Sequence, residues 1–119
     1  MRLAAVILAL LVTGCATVPP LPQDPHEMVG LWRGWLIKPR SFEWINLDIR
    51  DDGTFDLTGE WGLASNGVLA RRDGQVRFDG SRGWRGTLSL SDSTRGPALK
   101  LERDDRTEMG TLYRRPRTS

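Results

Sequence analysis

From Gly30 onward, apolar residues recur at every second position rather than every third or fourth, and a period of two dictates strands, not helices. In Glu43 to Arg50, Ile45, Leu47 and Ile49 share one face while Asn46, Asp48 and Arg50 share the other. In the next segment Phe55, Leu57, Gly59 and Trp61 alternate with Thr54, Asp56, Thr58 and Glu60. Turn residues interrupt the alternation at short intervals: Asp51-Asp52-Gly53, Ser65-Asn66-Gly67, Arg72-Asp73-Gly74 and Asp104-Asp105-Arg106. No stretch keeps a helical period. The pattern therefore predicts strands over Gly30–Lys38, Glu43–Arg50, Thr54–Trp61, Val68–Arg71, Gln75–Asp79, Trp84–Leu90, Ala98–Arg103 and Glu108–Arg114, with a loop over Ser91–Pro97.

The fold class is all-β, a short antiparallel up-and-down meander of about eight strands. Such a meander hides its edges by closing into a small barrel or by folding over as a β-sandwich. The barrel is the expectation, because Gly59, Gly86 and Gly110 inside otherwise regular strands suit the bends of a tightly curved sheet. A short eight-stranded barrel has an interior that side chains can fill.

Residues 1–20 differ in kind from this pattern. Arg2 carries a positive charge, Leu3 to Val12 has no polar side chain, and Thr13-Gly14-Cys15 follows. Ten apolar residues are too few for a spanning helix, which needs about 20, and suit a cleaved export signal. Leu11-Val12-Thr13-Gly14-Cys15 resembles the lipobox of bacterial lipoproteins, in which the cysteine sulfur takes a diacylglycerol and the chain is cut before it. The chemistry requires a thiol, the side chain nucleophilic enough near neutral pH, and Cys15 is the chain's single cysteine. The resemblance implies a signal peptide over 1–14, an acylated Cys15 with diacylglycerol and palmitate-type chains, and membrane attachment through them. Ala16, where an aspartate would favour the inner membrane, implies the outer membrane, with the protein on its periplasmic face.

Residues 16–27 contain four prolines and read as an extended tether that completes the segment 15–27. The β domain is expected over 28–115 and a solvated tail over 116–119. His26, the one histidine, falls in the tether, away from the partners that a metal site or a catalytic base needs.

Charge excludes one class of partner. Without Arg2 the chain keeps sixteen basic against fifteen acidic side chains, interleaved, so no positive field points to nucleic acid. The cluster Arg114-Arg115-Pro116-Arg117 is the local exception, and could meet anionic lipid headgroups or cell-wall polymers. The acids Asp48, Asp51, Asp52 and Asp56 lack the alternating spacing and distal glutamate of a calcium loop and read as a solvated hairpin. No metal or cofactor is expected. With Cys15 acylated and His26 in the tether, the common nucleophile and base arrangements are missing, and the chain is not expected to be an enzyme.

Gly30-Leu31-Trp32 at the start of the first strand resembles the Gly-x-Trp that opens the calycin barrels: lipocalins, fatty-acid-binding proteins and avidins. Asp52 to Gly59 is similar to the second hairpin of avidin-type barrels. The resemblance implies that an arginine on the last strand, Arg114 or Arg115, packs over Trp32. It carries over no ligand-binding residue.

Five tryptophans are the remaining feature that could carry function. Trp61 continues the apolar face of its strand, and Trp84 aligns with Leu88 and Leu90, so both are expected in the core. Trp44 lies opposite Ile45, Leu47 and Ile49, as does Phe42. Trp32 and Trp35 have opposite parity, so one points outward. Trp44 with one of that pair is the candidate binding patch. The expected role is binding of a protein partner or structural support in the envelope; the alternative is a carrier of a small apolar ligand, which requires a cavity of about 300 Å³ or more.

Overall fold

A computed structural model describes residues 23–116. The signal segment 1–14, Cys15, the start of the tether and the last three residues lie outside that range. The described chain is a closed antiparallel barrel of eight strands in sequence order. These are β1 (Gly30–Ile37), β2 (Phe42–Ile49), β3 (Thr54–Gly59), β4 (Ala64–Arg72), β5 (Gln75–Gly80), β6 (Arg85–Ser93), β7 (Gly96–Arg103) and β8 (Met109–Arg115). Closure comes from β1 pairing with β8, with Trp32 opposite Arg114 and Ile37 opposite Met109. The barrel, not the sandwich, is therefore the architecture, and no strand edge is left unpaired.

The alternation sorts as the sequence dictates. Ile45, Leu47, Ile49, Phe55 and Leu57 point inward and are buried, joined by Leu36, Val76, Phe78, Leu88, Leu99, Leu101 and Leu112. The barrel is tightly curved. At Gly86 an added Cβ would fall on the Glu102 carbonyl and the Phe78 ring, which is why that strand position carries no side chain.

Two boundaries differ from the sequence expectation. The turn after β3 is Glu60 to Leu63, closed by the Gly59 amide donating to the Leu63 carbonyl at 2.9 Å, with Gly62 at φ +89°. Ser65-Asn66-Gly67 is therefore inside β4 rather than a turn, and Ser65 points inward, buried, its hydroxyl donating to the Ser81 carbonyl. The expected loop Ser91–Pro97 is mostly strand: β6 runs to Ser93 and β7 starts at Gly96, leaving Thr94 and Arg95 as the turn.

The end of the tether is also folded. Pro25–Met28 forms a 3-10 helix capped by the Asp24 carboxylate, and Met28 is buried in the core. Gln23 ties the entering chain to the same end, its amide donating to the Gly74 carbonyl and its side-chain oxygen accepting from the Leu90 amide. The folded unit thus takes in residues 23–27, which the sequence pattern assigns to the tether.

Candidate functional site: an aromatic ladder on the outer face

The two tryptophans of opposite parity on β1 separate cleanly. Trp32 points inward and is 1% exposed, its indole N–H donating to the Met28 carbonyl at 2.8 Å. The Arg114 guanidinium lies over its ring at 4.5 Å and donates to the carbonyls of Val29 and Glu27. Gly30 permits this: it holds φ +140°, and a Cβ there would touch the Arg114 guanidinium. Of the two arginines open to the role, Arg114 fills it. Trp32 accordingly offers no surface to a partner protein, and Arg114, although exposed, is engaged with the Trp32 ring and the entering chain.

Trp35 points outward and is 40% exposed. The β1–β2 register sets it opposite Trp44, and the two indoles stack at 4.1 Å with planes 13° apart. Phe42 meets Trp35 edge-on at 5.0 Å, and the Arg33 guanidinium lies 4.8 Å from the Trp44 ring centre. The result is a ladder of guanidinium, indole, indole and phenyl, each packed on the next. The Nε of Arg33 is buried there without a hydrogen-bond partner. Beside the ladder, Ile37 and Met109 are also exposed, adjacent across the β1–β8 seam.

Trp61 departs from its expectation. It is 64% exposed rather than core, because the turn comes at Glu60–Leu63 and Leu63 takes the inward position that strand continuation would give Trp61. The turn is fastened to β2 by three bonds. The Trp44 amide donates to Glu60 Oε1 at 3.0 Å, the Glu60 amide to the Trp44 carbonyl, and the Trp61 amide to Glu43 Oε2. Glu43 is 1% exposed inside that barrel mouth and pairs with Lys38 at 2.5 Å. The ladder thus rests on a fixed scaffold at the end of the barrel opposite the chain's entry.

Trp84 is buried as expected, with the Arg103 guanidinium 4.3 Å over its ring. Each barrel mouth therefore carries a tryptophan under an arginine. Between them, the space among Leu47, Phe55, Leu57, Phe78, Leu88 and Leu101 admits no water-sized probe.

The hairpin acids serve the backbone. Asp52 accepts from the Thr54 hydroxyl and amide, which hold its carboxyl below the usual aspartate range. Asp56 pairs with Arg50, and the Arg77 guanidinium bonded to Asp104 holds the Asp104 carboxyl below the usual aspartate range. Among the described residues, no three potential metal-ligating side chains converge. Ile37 and Met109 are the members of the patch that the sequence reading misses; the parity of Ile37 with Trp35 was available, but its pairing with Met109 needs the closing seam. Comparison with protein-family models, curated proteins and solved structures finds no match to this chain.

Proposed function

We propose that this chain is an outer-membrane lipoprotein, anchored through an acylated Cys15 and facing the periplasm, whose barrel binds a protein partner through the outer aromatic ladder. The observation that carries the binding reading is the exposed ladder of Trp35, Trp44 and Phe42 flanked by Ile37 and Met109. Aromatic residues, methionine and arginine are the types enriched in protein interfaces. The packing favours this occupant, since the Trp44 ring already stacks on Trp35 and carries the Arg33 guanidinium, while Ile37 and Met109 add exposed aliphatic surface.

The domain reads as a small calycin-like barrel. Gly30-Leu31-Trp32 opens β1, a 3-10 helix precedes it, and Arg114 from the last strand covers Trp32. The carrier alternative finds less support, because the filled interior lacks the cavity of about 300 Å³ that a small-molecule site needs. No catalytic role is proposed.

Two experiments test the two halves of this reading. Cys15→Ser should abolish metabolic labelling with palmitate and release the protein from the membrane fraction; retained label would refute the anchor. Trp35→Ala should leave the circular dichroism spectrum unchanged and abolish envelope crosslinks, with a loss of about 2 kcal/mol in partner affinity if Trp35 is a binding centre. Unchanged crosslinks would remove the ladder from the function.

A further inference from the structure

We infer, building on the docking reading above, that the partner segment received beside the ladder is an acidic peptide carrying apolar side chains, seated in a groove between the β1–β2 hairpin and the β7–β8 turn. The groove measures about 330 Å³, with Ile37 and Met109 supplying apolar surface and Lys38, Lys100 and Arg106 on its walls. No carboxylate lines it.

The three cations are not equivalent. Lys38 is neutralised by the buried Glu43. Lys100 and Arg106 are exposed and have no carboxylate partner among the described residues. Lys100 stands between Ser89 and Thr111 in the sheet register, so neither cross-strand neighbour offers a charge. Glu102 flanks the groove beside Met109 without lining it, and Glu60, on the far side of the ladder, accepts the Trp44 amide. At the ladder's other end Arg33 adds a further guanidinium, its Nε without a hydrogen-bond partner. Apolar surface bordered by unpaired cations recognises apolar groups carrying negative charge, and the excess of cations selects against a basic partner.

Anionic lipid has the same chemistry, but two observations favour a peptide. The site is a concave groove, shaped for side chains rather than for a planar surface. The anchor is also at the wrong end. Eight residues from Cys15 to Gln23 reach at most about 28 Å, while Gln23 is fixed at the Gly74 end of the barrel. The eight residues of β1 run about 26 Å along the strand toward the other end. An anchor on Cys15 would therefore enter at the opposite end of the barrel, and the groove would meet the bilayer only with the tether fully extended back along the barrel wall.

The test uses the full chain and a short fluorescent peptide alternating glutamate with leucine and phenylalanine, compared with a counterpart in which lysine replaces each glutamate. The acidic peptide should bind, the basic one should not, and added salt should weaken binding. Combining Lys100→Glu with Arg106→Glu should weaken it about tenfold while the circular dichroism spectrum stays unchanged. Equal binding of both peptides, no binding of the acidic one, or indifference to the double substitution would overturn the inference. So would sedimentation with phosphatidylglycerol vesicles that the double substitution abolishes, coupled with no peptide preference, which assigns the surface to a membrane. Envelope crosslinks separate the two levels of the argument. If they survive the double substitution but are lost with Trp35→Ala, the docking reading stands and the acidic partner falls; if they survive both, both fall.

Discussion

Arg114 shows how much one exposed side chain can organise. Its guanidinium covers the Trp32 ring and donates to two carbonyls of the entering chain, joining the last strand to the segment before the first. A cation over an indole and charge-assisted bonds to carbonyls together contribute about 1–2 kcal/mol at a partly exposed site. Arg114→Ala should therefore lower stability by that amount in urea denaturation followed by tryptophan fluorescence. Arg115→Ala, one residue on and pointing to solvent, should change it by less than about 0.5 kcal/mol; equal losses would remove the clasp from the account. This pairing was legible in part. The Gly-x-Trp opening and an arginine on the final strand were both visible, and parity required Trp32 and Trp35 to face opposite ways. Which one faced inward, and which arginine served, depended on the β1–β8 register, and that pairs residues more than eighty positions apart.

At the level of elements, the end of the barrel bearing the ladder is fastened by a buried ion pair. Lys38 leaves the β1–β2 hairpin to meet Glu43, whose other oxygen accepts from the Trp61 amide in the β3–β4 turn. Removing one partner of such a pair leaves an uncompensated charge, whereas replacing both with apolar residues is often neutral. Lys38→Met alone should cost about 1–3 kcal/mol, below the fully buried range because Lys38 keeps some contact with water. Adding Glu43→Leu should recover most of that loss, and a double variant as unstable as the single one would show that the pair is not what holds this end. The hairpins show why some turns read easily and one did not. Asp51-Asp52-Gly53 and Asp73-Gly74 both turn where their residues indicate, the second with φ of +54° and +77° in a two-residue loop. Ser65-Asn66-Gly67 carries equally good turn chemistry, yet Gly67 sits in β4 against the Asp79 carbonyl, where barrel curvature leaves no room for a Cβ. The same glycine suits a turn or a close approach, and only the fold chooses. That one displacement moved Trp61 from core to surface.

For the whole molecule, closure does more than hide strand edges. Trp32 under Arg114 stops one mouth, Trp84 under Arg103 stops the other, and the leucines and phenylalanines between them leave no water-sized space. A barrel filled in this way leaves its outer face, where the ladder stands, as the surface for the binding proposed above. Native mass spectrometry of residues 23–119 purified from the periplasm without denaturation should therefore give the bare polypeptide mass. A retained apolar molecule would return the carrier reading to first place and require the interior to open. The starting residue matters: a chain begun at Met28 lacks the Gln23 bonds to Gly74 and Leu90, the Asp24 cap and the Glu27 carbonyl that Arg114 grips. Such a truncation should unfold at lower urea than the chain begun at Gln23, and any ligand mass seen only in the truncated form would report a barrel mouth left open by the missing residues.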